Sequence, residues 1–258
     1  MQILGCQGLS PPFWGKGIYF GFDIFNFGPN QTPTDLMVQA IPANLASILS
    51  RIGSVSKAPI QLVAVSKLKP VSDISTAYSA GQRHFGENYV SELVQKSCEL
   101  PLDIRWHFIG HLQSNKVKAL VTGCTNLYMI ETVDSVSLAT KIDSALSPLL
   151  RTVKLKVLVE IKTSEEASKA GISIPDARGL IDHIVNFCPN LEFDGLMTIA
   201  DPNNAEHSFS LLAKLKTALE SDSIPVRTMS MGMSSDYESA IAYGSTEVRI
   251  GSSIFGNR

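Results

Sequence analysis

One pattern recurs along most of this chain: a short apolar run of strand type, a longer stretch with helical spacing, then a turn. Strands are predicted at 62–66, 83–86, 105–109, 127–131, 154–161, 191–199, 226–230 and 246–250. Helical stretches separate them near 71–80, 88–98, 114–120, 134–147, 175–187, 205–220 and 235–243. Alternation at this pace favours parallel strands joined by right-handed crossovers. Eight such units fit an α/β fold of the (β/α)8 TIM-barrel type, whose usual size is about 250 residues. An open doubly wound sheet carries fewer strands and a G-x-G-x-x-G first turn, and that motif does not occur. Only a short turn follows the last strand. A helix is predicted from Thr34 to about Ile52, with Leu36, Ile41, Leu45, Ile48 and Leu49 near helical spacing and Pro42 as an interruption. It is expected to stand where the eighth helix would be. The chain thus divides into a barrel domain over 34–258 and an atypical extension over 1–33. In the extension Phe13, Trp14, Tyr19, Phe20, Phe22, Phe25 and Phe27 crowd among glycines. It suits neither a mitochondrial presequence nor a secretory signal and is expected to be disordered.

Composition narrows the function classes. The chain has 258 residues, net charge −2 and a pI near 6.2, so a nucleic-acid partner is not expected. Cys6, Cys98, Cys124 and Cys188 have neither zinc-ligand nor Cys-x-x-Cys spacing, which suits free thiols in a reducing compartment. No apolar run is long enough to span a bilayer. The expectation is a cytoplasmic monomer, with the mitochondrion as the alternative location and no membrane contact.

Barrels of this class carry their chemistry on the loops after the strands. After the first strand, Leu62-Val63-Ala64-Val65-Ser66 runs into Lys67. A lysine there can snorkel into solvent. Desolvated, its neutral amine can attack a carbonyl and form a Schiff base. The loops after strands seven and eight read Ser230-Met231-Gly232-Met233-Ser234-Ser235-Asp236 and Gly251-Ser252-Ser253. Glycines admit a close ligand, and serines at helix starts offer hydroxyls and amides to an anion. Ser235 and Glu238 also fit a capping box, which needs no ligand. Because strand eight closes against strand one, the lysine and this phosphate cup share one rim. An aldehyde that carries a phosphate suits both: pyridoxal 5′-phosphate (PLP), or the phosphosugar of an aldolase. Arg249 lies in the apolar run Glu247-Val248-Arg249-Ile250 and needs an acceptor. Glu87, Glu131 or the pyridine nitrogen of the cofactor could serve. His107 and His111 stand four apart, but that spacing converges on a metal only in a helix, and a strand is predicted there.

Several stretches carry a resemblance. They are Val65-Ser66-Lys67, His84-Phe85-Gly86-Glu87-Asn88-Tyr89-Val90, Trp106-His107-Phe108-Ile109-Gly110-His111-Leu112-Gln113, Gly195-Leu196-Met197-Thr198-Ile199, Ser230-Met231-Gly232-Met233-Ser234 and Val248-Arg249-Ile250-Gly251-Ser252-Ser253-Ile254-Phe255-Gly256. Over residues 60–256 the chain resembles the pyridoxal phosphate homeostasis protein family, whose fold is similar to the alanine racemase N-terminal domain. The resemblance implies PLP covalently attached to Lys67, with Lys69 as the nearby alternative. It implies phosphate contacts from Ser230, Gly232, Gly251 and Ser252, a pyridine contact from Arg249, Asn88 near the ring, and Met197 and His107 as pocket lining. It implies a PLP-binding protein of vitamin B6 homeostasis that holds the cofactor and passes it to PLP-dependent apoenzymes without turning over a substrate. The alternative is a PLP-dependent amino-acid racemase. A racemase of this fold needs a second acid/base, which alanine racemase takes from a tyrosine of a separate β domain. Here Tyr89, Tyr237 and Tyr243 would be the stand-ins, each on a crossover helix. Lys162 replaces the asparagine usual in that loop, and the first thirty residues match nothing in the family.

Overall fold

The computed structural model describes residues 33–149, 151–164 and 170–256. Its strands β1 (Gln61–Val65), β2 (His84–Glu87), β3 (Arg105–Phe108), β4 (Leu127–Val133), β5 (Leu155–Glu160), β6 (Leu191–Met197), β7 (Thr228–Ser230) and β8 (Glu247–Ile250) pair in sequence order and close into a barrel. Every pairing is parallel, including the seam where Gln61 faces Glu247 and Ala64 faces Ile250. The helices are α1 (Pro33–Val55), α2 (Val71–Ser79), α3 (Val90–Glu99), α4 (Val117–Gly123), α5 (Val136–Leu146), α6 (Ile174–Phe187), α7 (Ala205–Ser221), α8 (Tyr237–Ala242) and α9 (Ser252–Phe255). The expected (β/α)8 barrel is therefore present, and the terminal turn is a one-turn helix. Residues 1–32, most of the expected extension, lie outside the described residues, as does Cys6.

Helix α1 fills the eighth outer position. It packs on α2, α8 and α9, and Asn44 donates from Nδ2 to the Ile254 carbonyl at 3.0 Å. Pro42 does not interrupt it. Pro42 faces outward, where the carbonyl it leaves without a helical partner can meet water. The buried stripe Ile41, Leu45, Ile48 and Ile52 faces the core at helical spacing.

Most apolar side chains fill the layer between barrel and helices, with Phe85, Trp106, Phe108 and Phe209 the bulkiest. The barrel interior is different. Met129, Leu158 and Met197 form a small apolar plug, Val63 lies inward as well, and buried polar residues such as His107, Glu131 and Arg249 share the interior with them. Strand β6 reaches this pattern through a register shift, in which Val157 faces Phe193 but Leu158 faces Gly195. The extra residue resets the alternation, so that Phe193 and Leu196 point outward while Met197 points into the barrel. Gly195 is required there, because a Cβ would stand 1.9 Å from the Thr228 carbonyl oxygen of β7.

Candidate functional site

A cavity of about 580 Å³ opens at the C-terminal ends of the strands. Six of the expected site residues line it: Lys67, Asn88, Met197, Arg249, Gly251 and Ser252. Its walls divide by chemistry. Val65, Ile109, Met197 and Ile199 make an apolar side, and Ser234, Ser235 and Ser252 a hydroxyl-rich one. Sequence reading had placed Ser234 and Ser235 in the right loop without assigning them to the site.

Lys67 lies two residues past the end of β1 and is half-buried. Its backbone is tightly held. The Lys69 amide donates to the Ser66 carbonyl at 3.0 Å, closing a turn in which Leu68 takes a φ of 62°. The Leu68 amide donates to Glu92 Oε1 at 2.6 Å. Behind the turn, the Lys96 ammonium donates to the Ser66 carbonyl, Glu87 Oε1 and Glu92 Oε1 at 2.8, 2.8 and 2.6 Å. Glu87, weighed from sequence as a partner for Arg249, is thus taken by α3. Burial raises the Glu87 carboxyl above its usual range, against the pull of Lys96. Lys69 also reaches the cavity, with its ammonium donating to the Phe255 carbonyl at 3.0 Å.

Arg249 points into the barrel from β8 and is 4% exposed. Nη1 donates to Ser230 Oγ at 2.6 Å and Nη2 to the Thr198 carbonyl at 2.8 Å. Ser230 in turn donates to Glu131 Oε2 at 2.7 Å. Neither carboxylate considered from sequence accepts directly from Arg249; Glu131 is reached through one hydroxyl. Ser230 and Gly232, both expected at the phosphate, are not among the lining residues. Gly232 holds the loop's shape instead. Its φ is +98°, and a Cβ would fall 2.7 Å from Ala240 Cβ. His107, expected as pocket lining, lies below the cavity with its Nδ1 2.7 Å from Glu131 Oε1. The capping box read at Ser235 and Glu238 does not form; α8 begins at Tyr237, and Asp236 accepts from the Met233 amide at 2.6 Å.

Asn88 lines both this cavity and a neighbouring one of about 770 Å³ that also takes in Tyr89 and His111. Asn88 Oδ1 is buried with no hydrogen-bond partner. Such an orphan acceptor suits a ligand that brings a donor. Lys162 lies away from the first cavity, in a polar hollow with Asp201 and His207. The two histidines four apart separate: His107 is fully buried, and His111 is exposed beside Asp134. His107, Glu131 and Glu247 each bring a ligand atom within 4.8 Å of the others. Both Glu131 oxygens, however, are committed to hydrogen bonds. Burial and then the Glu131 charge push Glu247 well above the usual carboxylate range. Burial alone would raise Glu131 too, but the His107 bond, the Arg249 charge and the Ser230 hydroxyl bring it below. The two neighbouring carboxyls are thus driven in opposite directions, and the cluster is a hydrogen-bonded polar core.

Glu160 ends β5 beside Met197. Burial, then the Asp134 charge, lift its carboxyl from 4.5 to about 7, with Arg249 pulling the other way. The folded state binds the extra proton between those values. This stabilising contribution is complete below about 4.5 and lost as pH rises through 7. His84 has the opposite sign. Burial, then the neighbouring His107 and Arg105, hold it down to about 3 from 6.5, so its contribution is present above about 6.5 and lost as pH falls. The two windows overlap between about 4.5 and 6.5, where the slopes oppose each other. Glu160→Gln should therefore gain up to about 3 kcal/mol over wild type on going from pH 4.5 to pH 8. Urea unfolding across that range checks it, and a wild-type-to-variant difference that stays constant with pH would count against the assignment.

Among the described residues no helix is long and apolar enough to cross a membrane. Residues 37–258 match the model of the alanine racemase N-terminal domain. Over 211 residues the chain is 46% identical to the human pyridoxal phosphate homeostasis protein, covering 77% of this chain and 76% of that one. The Schizosaccharomyces pombe protein of the same name is 43% identical over 205 residues, covering 77% and 84%. Among solved structures, PipY of Synechococcus elongatus with PLP bound superposes with a TM-score of 0.72 at 34% identity, covering 84% of this chain and 100% of PipY. Alanine racemase from Corynebacterium glutamicum shares the fold at a TM-score of 0.68 and 13% identity. With its closed parallel barrel and this match over most of its length, the chain belongs to the pyridoxal phosphate homeostasis protein family.

Proposed function

We propose that this protein binds PLP in the cavity above Lys67, holds it there as a Schiff base to that lysine, and serves PLP homeostasis without turning over a substrate. The observation that carries the reading is the cavity lining: one amine at the end of β1, one guanidinium from β8, an orphan acceptor at Asn88, and a hydroxyl-rich side where two helices begin. These groups fit PLP one by one. Bound PLP supplies an aldehyde that condenses with an amine. Lys67 is the amine nearest the end of β1; Lys69, which also lines the cavity, lies two residues further along. Ser234 and Ser252, whose hydroxyls stand 3.2 Å apart across the two loops, suit the phosphate, as do the Ser252 and Ser253 amides that open α9. Gly251 lies against Val65, where a Cβ would meet the Val65 carbonyl at 3.1 Å, so the β8 loop stays close to the β1 end. Arg249 faces the ring nitrogen as a donor only, which leaves that nitrogen without a proton and weakens the ring as an electron sink.

The absence of turnover rests on the same lining. Among the described residues its titratable groups are Lys67, Lys69 and Arg249. Tyr89 lines the neighbouring cavity, Tyr237 is buried, and Tyr243 turns toward Glu206. No tyrosine or carboxylate on this list offers a second acid/base across from the lysine. The protein acts as a monomer whose cofactor is taken up by apoenzymes.

An absorption spectrum between roughly 300 and 500 nm, taken with added PLP before and after borohydride, tests the reading. A visible band that borohydride removes and that Lys67→Ala lacks is expected. A colourless wild-type protein, or a band that persists in Lys67→Ala, would overturn the assignment. Racemisation of single amino-acid enantiomers that is lost in Lys67→Ala would replace the carrier with a racemase.

A further inference from the structure

Ser230 has an occupation that sequence reading did not foresee. Its oxygen accepts from Arg249 Nη1 at 2.6 Å, and its one proton goes to Glu131 Oε2 at 2.7 Å. A hydroxyl has a single proton to give, so Ser230 has none left for a phosphate. The chain continues downward. Glu131 Oε1 lies 2.7 Å from His107 Nδ1, His107 Nε2 lies 2.8 Å from His84 Nδ1, and His84 Nε2 lies 3.3 Å from Arg105 Nη1. Arg105 begins β3 at the opposite end of the barrel.

The direction of every bond follows. Arginine only donates, so His84 Nε2 accepts and its proton sits on Nδ1. His84 then donates to His107 Nε2, which leaves the His107 proton on Nδ1 for Glu131. From below, the chain runs toward Glu131; from above, Arg249 and Ser230 run toward the same carboxylate. Each link has one donor and one acceptor, and Glu131 is where the two arms meet. This arrangement fixes the guanidinium at the cavity floor from behind, while the Thr198 carbonyl fixes it from the side.

We propose that Ser230 and Glu131 are positioning residues for Arg249, setting where its guanidinium meets the pyridine ring, and that Ser230 takes no part in binding the phosphate. The proposal rests on the PLP reading above. Its test separates the two. PLP and pyridoxal, which has the same ring and aldehyde without the phosphate, are titrated into wild type, Ser230→Ala, Glu131→Gln, Arg249→Gln, Arg249→Lys and the double variants that combine Ser230→Ala with each Arg249 change. Thermal melts run beside the titrations.

Ser230→Ala is expected to weaken both ligands by the same factor, about 5- to 10-fold, the size of one ordinary hydrogen bond. Glu131→Gln, two links from Arg249, should weaken both in the same way. On either Arg249 background the further effect of Ser230→Ala should shrink to less than about 2-fold, because a residue that acts through Arg249 has nothing left to act on. The absorption maximum of bound PLP should move in the same direction in Ser230→Ala as in Arg249→Gln. A loss confined to PLP, with pyridoxal binding unchanged, would return Ser230 to the phosphate and overturn the proposal. So would a loss of equal size in the presence and absence of Arg249, or no loss at all. Wild-type protein that binds neither ligand would overturn the PLP reading itself and this proposal with it.

Discussion

Lys96→Met is expected to cost about 3–5 kcal/mol of folding free energy at pH 8, the range for breaking a buried ion pair by removing one partner. Lys96 sits in α3 with its side chain only 6% exposed, and Glu87 is wholly buried. The ammonium satisfies three acceptors at once. Methionine fills much of the same space but leaves Glu87 ionised in an apolar surround, where one of its oxygens already lacks a partner. The sign of the pH dependence follows. Burial already raises Glu87, and Lys96 is the largest force opposing it. Without Lys96 the carboxyl rises further. Folding then demands a proton that is scarce at pH 8 and available near pH 5. The loss should accordingly shrink as pH falls, and urea unfolding at the two values reads this directly. Lys96 also holds the Ser66 carbonyl and shares Glu92 with the Leu68 amide. These bonds bracket Lys67 on both sides. PLP binding should weaken in the same variant, including at pH 5 where most of the stability has returned. A cost below about 1 kcal/mol at pH 8 would show that the cluster does little to support the turn.

Deleting residues 34–55 should abolish the cooperative thermal transition. The reason is the stripe on α1. Ile41, Leu45, Ile48 and Ile52 are 2%, 1%, 5% and 5% exposed. At roughly 1.5–3 kcal/mol for each fully buried side chain, their burial is worth about 6–12 kcal/mol, comparable with the whole stability of an ordinary domain. Removing the helix also uncovers apolar surface on α2, α8 and α9, the elements it packs against. The single change Leu45→Ala should cost about 2–5 kcal/mol by leaving a cavity on that seam. Circular dichroism melts measure both. A truncated protein that melts cooperatively at the wild-type temperature would mean that α1 is an ornament on a self-sufficient barrel.

The barrel was legible because every strand–helix unit announces itself locally. The apolar runs, the amphipathic stretches and the turns between them are properties of adjacent residues. The candidate site was legible where a residue type sits at the end of a strand, as with Lys67, Asn88 and Gly251. What sequence could not say is which way a side chain points in the middle of a strand. Strict alternation counted from Leu191 would turn Met197 outward with Phe193, yet the shift at Gly195 turns it inward. Ser230 illustrates the same difficulty. At the end of a strand it could have met a phosphate from the following loop; its side chain instead turns into the barrel and binds Arg249 and Glu131. The role of Lys96 was hidden for a different reason. On a helix of modest polarity it looks like any solvated lysine, and only the packing of α3 beneath the β1 turn gives it three acceptors, two of them buried. The capping box failed because α8 begins at Tyr237, two residues past Ser235, and the Asp236 side chain accepts from the Met233 amide of the preceding loop rather than capping the helix.

The seam between β1 and β8 also governs how this chain must be made. Gln61 pairs with Glu247 and Ala64 with Ile250, so the first strand waits for all the other strands before its second neighbour exists. On the ribosome, β1 can pair with β2 early, but its other edge stays open until β8 has left the exit tunnel. An open parallel edge invites pairing with another chain, and closure over so long a separation is slow. Helix α1 emerges ahead of β1, and the α9 turn against which it packs emerges only after β8. Until then its apolar stripe has only part of its final bed. A ribosome that stalls before residue 247 leaves a nascent chain with both liabilities at once, and β8 and α9 relieve them together.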